Sequence, residues 1–137
     1  MVLYGDSFLP IPFRPVVDVS DASDRGGLMT VFRNDGRWDI SDVEFGNGVI
    51  RCYDKVNRTE AMRHIDHGLN MFRSAAFDAW PSDRPLDPAV VLQDVQAVGR
   101  LRGLQVNERF YEAGSPAGIE EIERFITTRS SARPDRT

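Results

Sequence analysis

The chain has two imidazoles, His64 and His67, and both lie in the stretch Thr59 to Trp80, TEAMRHIDHGLNMFRSAAFDAW. Glu60 stands four residues before His64, and Asp66 stands between the histidines. At about 100° per residue on a helix, Glu60, His64 and His67 fall on one line, with Met71 beside them. Such spacing lets histidines and carboxylates converge on a metal ion or on a proton being transferred. A metal would take Glu60, His64 and His67 as ligands. Acid–base chemistry would use His64 or His67, with Glu60 orienting an imidazole and Asp66 nearby. The same spacing has a plainer use, an i, i+4 pair of Glu60 and His64 on a solvated face. No second His- or Cys-rich motif supplies further ligands, so neither a metal nor a cofactor is expected from the pattern itself.

The element that must position these residues reads as a long helix over 59–80. Thr59 suits the N-cap, and Glu60 places negative charge at the positive helix end. Met62, Ile65, Leu69, Phe72, Ala76 and Trp80 share one band, the signature of a buried stripe. Gly68 weakens the helix by about 1 kcal/mol. Burial of the large apolar side chains, roughly 1.5–3 kcal/mol each, outweighs that cost. Pro81 ends the pattern.

The helix needs a sheet to cover. Leu28 to Phe32, Arg37 to Ile40 with Val43 to Phe45, and Val49 to Asp54 read as strands, with turns at Asn34-Asp35-Gly36 and Gly46-Asn47-Gly48. The expected fold is therefore α+β: an antiparallel β-meander over 28–54 covered by the 59–80 helix. A helix over 88–101, a strand over 104–112 and a C-terminal helix over 116–127 follow. Asp87-Pro88 and Ser115-Pro116 both place a cap residue before a helix-starting proline. Residues 1–126 are expected to form one domain, and 127–137, without an apolar anchor, a disordered tail. Pro10 to Pro15 should run extended, and Val16 to Val19 suits an edge strand.

Gly5-Asp6-Ser7-Phe8 after a short apolar run looks like the nucleophile block of GDSL-type esterases. In that family the serine opens a helix. Here Pro10, Pro12 and Pro15 oppose a helix directly after Ser7. The partner Asp-x-x-His is missing as well, since Ala61 and His64 stand three residues before the two histidines. Cys52 lies on a strand pattern, where a packed structural thiol is the natural reading. With one cysteine the chain forms no internal disulfide, which fits a reducing compartment.

The formal net charge is −4, and residues 1–50 carry eight acidic side chains against four basic ones. Such a chain is poorly suited to neutralising nucleic-acid phosphates. No apolar run is long enough to span a membrane. Sixteen arginines against the single Lys55 suggest a bacterial source, and the expected location is cytoplasmic. No phosphate-loop or dinucleotide-binding motif is present. No motif names an activity. The composition suits a small acidic protein-interaction domain of the antitoxin, immunity or accessory type, meeting a partner through its acidic N-terminal face. The alternative is a small enzyme or a ligand- or metal-binding domain built on the Glu60/His64/His67 edge. In that case Tyr53, Asp54 and Arg58 would add polar groups at the mouth of the site.

Overall fold

A computed structural model describes residues 1–132. In chain order the elements are β1 (Val2–Leu3), β2 (Ser7–Phe8), α1 (Arg14–Asp21), β3 (Gly27–Arg33), β4 (Val43–Gly46), β5 (Val49–Tyr53) and β6 (His64–Phe72). A 3-10 turn at Ser74–Phe77 follows, then α2 (Pro88–Ala97), β7 (Leu101–Val106), β8 (Tyr111–Glu112) and α3 (Pro116–Ser131).

The centre is β3. It pairs antiparallel with β6 and parallel with β7. The hairpin β4–β5 bridges the two outer edges, through Val49↔Arg102 on one side and Val43↔His64 on the other. Strands β6, β3, β7, β5 and β4 therefore form a closed five-stranded barrel, with β1 attached outside β6. Strands β2 and β8 make a separate two-stranded ribbon.

The side chains of β3 explain its position. Met29 and Val31 join one apolar cluster with Val43, Ile50, Tyr53 and the buried face of α2. Leu28 and Phe32 join a second cluster with Val16 of α1, Ile65, Leu69 and Phe110. A strand buried on both faces has no wet side to show as alternation. Both expected cap–proline starts are present: Asp87 accepts from the Ala89 N–H (2.9 Å), and Ser115 accepts from the Gly118 N–H (3.1 Å).

Strand β6 replaces the helix expected over 59–80, and this is the main correction. Its burial is nearly continuous from His64 to Asn70. A β-bulge adds a phase shift. Met29 pairs with Asn70 and Val31 with Asp66, so Thr30 alone spans residues 67–69. Gly68 takes φ +103° there, a value that L residues rarely adopt. Near-continuous burial plus that phase shift is what imitates a helical stripe.

The Thr30 hydroxyl plugs the bulge, donating to the Leu69 carbonyl (2.7 Å) and accepting from the Leu69 N–H (3.3 Å). Thr30→Val leaves those buried groups without a partner. It should cost about 1–3 kcal/mol, read as a lower urea midpoint at unchanged slope. A midpoint equal to the parent's would remove the plug from the account of β6.

Other expectations are corrected too. The 28–54 region is not a meander, because β3 does not pair with β4. Residues 37–40 form a loop and no strand. Residues 14–21 are helical, with Pro15 in the first turn, where its missing N–H costs nothing. The helix expected over 88–101 ends at Ala97, and the 104–112 strand divides into β7 and β8. Helix α3 runs on to Ser131, into the expected tail, of which residues 133–137 lie outside the described residues.

Candidate functional site

Where the N-terminal segment crosses β6 there is a cavity of about 270 Å³. Five segments distant in sequence line it. Tyr4, Asp6 and Ser7 come from the N-terminus, and Asp39, Ile40 and Asp42 from the loop before β4. Lys55 and Arg58 come from the link after β5, Ile65 to Gly68 from β6, and Phe110 and Glu112 from the β8 side.

Local sequence places each group. Asp54 accepts from the N–H groups of Val56 (2.8 Å) and Asn57 (2.9 Å), which folds the turn that carries exposed Lys55. Ribbon pairing sets Ser7 opposite Glu112, and the Ala113 N–H donates to the Asp6 carbonyl (2.7 Å). Asp6 and Glu112 are thereby held on neighbouring strand ends. Asp66 accepts from the Tyr4 hydroxyl (2.6 Å), the Gly68 N–H (2.9 Å) and the Asn70 amide (3.3 Å).

The electrostatics are those of buried carboxylates. Burial pushes the Asp66 pKa up, and its three donors work against that. Burial, then the neighbouring Asp66 charge, push Asp42 up to about 6, while Lys55 and Arg58 pull it down. Burial raises both Tyr4 and Tyr53 above the usual phenol range, with Asp66 as the next cause. Both phenols stay neutral, so Tyr4 can only donate to Asp66.

His67 is buried, with Nε2 2.8 Å from the Glu108 carbonyl oxygen. A carbonyl only accepts, so Nε2 carries the proton and donates. Burial lowers the His67 pKa to about 4, which keeps the ring neutral near pH 7. Its Nδ1, the Asp42 Oδ1 and the Asn70 Oδ1 have no hydrogen-bond partner among the described residues. Buried atoms of this kind cost about 1–3 kcal/mol each when unmet. Two of them, on His67 and Asp42, belong to residues that line the cavity, and they point to a polar occupant.

The four residues singled out from the sequence are divided by the strand. Asp66 and His67 line the cavity. His64 is buried elsewhere, with Nε2 3.1 Å from the Gln105 Oε1 and its ring edge-on to Phe45. On a strand, residues three apart point to opposite faces, so the two imidazoles do not converge. Glu60 is exposed in a turn and lines a shallow groove with Trp38 and Met62. Among the described residues no cluster of three or more His, Cys, Asp or Glu could hold a metal by itself. Sequence reasoning missed Asp42 and Lys55 and gave Asp6 and Glu112 no role. One signal was available, the lone lysine among sixteen arginines, at a place where a compact flexible ammonium differs from a guanidinium fork.

Fold and cavity define a class: an α+β domain with a closed five-stranded barrel and a carboxylate-rich polar cavity at its N-terminal crossing. No family model and no curated protein matches the chain. Among solved structures it is similar to one reported as a glucose-1-phosphate thymidylyltransferase from Bacillus anthracis, in complex with sucrose. The TM-score is 0.74 at 14% identity, covering 90% of this chain and 52% of that one. The likeness is one of fold, and the chain spans about half the length of that protein. No helix among the described residues is long and apolar enough to cross a membrane.

Proposed function

We propose that the cavity binds a phosphorylated sugar. One observation carries this reading: Lys55 and Arg58 line a single cavity together with the carboxylates of Asp42 and Asp66, in a fold similar to a structure reported as a glucose-1-phosphate thymidylyltransferase. Phosphate calls for cations, and Lys55 and Arg58 are the cationic side chains in the lining. Sugar hydroxyls call for acceptors. Asp42 and the Nδ1 of neutral His67 supply them in the same lining.

Asp6 and Glu112 add a second possibility for charge. Neither enters an ion pair among the described residues. Two carboxylates with phosphate oxygens between them match the way Mg²⁺ is bound, with several waters retained. With a phosphate bound, Asp6 and Glu112 would be the residues to hold a divalent cation that arrives with it. Such an ion would neutralise phosphate charge, while Lys55 and Arg58 orient the group.

The protein-interaction reading has less support. Of the acids in residues 1–50, Asp18, Asp35 and Glu44 sit in ion pairs with arginines, and Asp6, Asp39 and Asp42 line the cavity. They do not add up to one free acidic face.

The test is calorimetric titration with glucose 1-phosphate, with and without Mg²⁺. Lys55→Ala should weaken binding about 10- to 100-fold, as expected for a charge-assisted contact of roughly 1.5–3 kcal/mol. It should leave the unfolding midpoint unchanged, because Lys55 is exposed. Equal affinity in parent and variant would count decisively against the assignment.

A further inference from the structure

The loop between β3 and β4 holds a tryptophan outward at the rim of this cavity. Trp38 is 49% exposed and Ile40 59% exposed. The exposure does not come from a slack loop. Asn34 is fully buried, and its amide donates to the Asp39 carbonyl and the Ser41 hydroxyl. Its Oδ1 accepts from the Trp38 N–H (2.9 Å), and its carbonyl accepts from the Arg37 N–H (3.0 Å).

The indole is also fixed from one side. The Arg109 guanidinium lies 3.8 Å from the ring centroid. Arg109 is held in turn by Glu121 (3.1 Å) and by the ring of Tyr111 at 4.4 Å. A cation stacked on one face leaves the rest of the ring to meet something else. Burying an exposed ring that is already ordered costs little further side-chain entropy.

The surroundings say what could meet it. The groove lined by Trp38 shares Asp39, Ile40 and Arg58 with the sugar-phosphate cavity. The cavity is about 270 Å³, and the three shared residues leave a ligand room to extend from it into the groove. We propose that Trp38, with Ile40 beside it, forms a second subsite. There the C–H face of a sugar ring, or of the sugar's outer carbons, stacks while Lys55 and Arg58 hold the phosphate end. This rests on the phosphorylated-sugar reading given above. It adds a ligand class: sugar phosphates with an apolar ring face are preferred over phosphate alone.

Intrinsic fluorescence tests this directly. The other tryptophan, Trp80, packs against the inner apolar cluster. In a Trp80→Phe background the emission therefore reports Trp38. Glucose 1-phosphate should change that emission, and inorganic phosphate should bind with no such change. Trp38→Ala should weaken glucose 1-phosphate about tenfold and leave inorganic phosphate affinity unaltered, whereas Trp38→Phe should keep most of the sugar affinity. Far-ultraviolet circular dichroism establishes that each variant is folded. If Lys55→Ala abolishes sugar-phosphate binding and Trp38→Ala leaves it unchanged, the subsite is wrong and the function stands. If the parent chain binds no glucose 1-phosphate, both are wrong.

Discussion

Gly118→Ala should destabilise the protein by about 2–3 kcal/mol, the cost of overpacking against an unyielding neighbour. The added Cβ would overlap the Glu112 carbonyl oxygen. That oxygen is backbone, so no rotamer change relieves the clash. The Gly118 N–H is tied to the Ser115 cap, which fixes the first turn of α3. Either α3 lifts away or β8 shifts. A shift of β8 carries Glu112 with it, and through the ribbon pairing it moves Asp6 as well. Stability and ligand affinity should therefore fall together, with Tm lower by roughly 5–10 °C. Gly114→Ala is the control, because its Cβ would meet only the Asp6 carboxylate at an ordinary 3.7 Å. That variant should stay within about 0.5 kcal/mol of the parent, as surface changes usually do. A Gly118→Ala protein as stable as its Gly114→Ala counterpart would show that α3 is not seated on β8 as described.

The second large effect concerns acid, and it comes from buried groups that oppose each other, Asp42 and Asp66 on one side and His67 on the other. Asp42 has its pKa raised to about 6 in the folded state, against an ordinary carboxyl near 4. Between those values the folded state binds more protons than the unfolded one. Its contribution is complete below pH 4 and is lost as pH rises through 6. His67 has its pKa lowered to about 4, against an ordinary 6.5. Between those values the folded state binds fewer protons. Its contribution is complete above pH 6.5 and is lost as pH falls through 4. From about pH 4 to pH 6 the two slopes largely cancel.

Single substitutions should unmask them. Asp42→Asn removes one of the two raised carboxyls and leaves His67 opposed by Asp66, so on acidification from pH 6.5 to pH 4 stability should fall relative to the parent, by up to about 2–3 kcal/mol. His67→Gln removes the imidazole, so stability should rise over the same acidification by a similar amount. Urea midpoints at three or four pH values decide the matter. Parallel pH curves for the two variants would contradict the burial assigned to one group or the other.

How much of this was legible in the sequence depends on whether a signal is local. The Asp87 and Ser115 caps each need only a few neighbouring residues, and both were readable. So was the β4–β5 turn, where Asn47 and Gly48 take φ of 52° and 74°, as a tight hairpin requires. The Asn34-Asp35-Gly36 turn was readable as a turn. Its return strand is absent because Asn34 spends its side chain bracing a loop. Strand β6 was unreadable for a physical reason. Its two faces are both covered, by partners separated from it by tens of residues, so periodicity reported burial without reporting backbone type. The cavity was less legible still. Its lining runs from Tyr4 to Glu112, and only closure of the barrel brings those groups together. Asp66 and His67 were singled out on a helical spacing that the strand does not have, and their place in the lining comes from β6 instead. Lys55 was visible only as a compositional oddity.

The narrow attachment of the β4–β5 hairpin has a consequence for motion. Strand β3 is bonded along most of its length to both neighbours, whereas the hairpin meets β6 and β7 through one register pair each. It is held as well by the apolar packing of Val43, Ile50 and Tyr53, by the Gly103 N–H donating to the Gly48 carbonyl (3.0 Å), and by Gln96 and Gln93 of α2 donating to the Arg51 and Tyr53 carbonyls. Amide protons of the hairpin should thus exchange with solvent through a smaller, local opening, and those of β3 only through global unfolding. Asp42 stands just before this hairpin and Lys55 just after it. A ligand gripped by both would tie the ends of the loosest staves together, and hydrogen exchange there would slow by the factor that binding supplies.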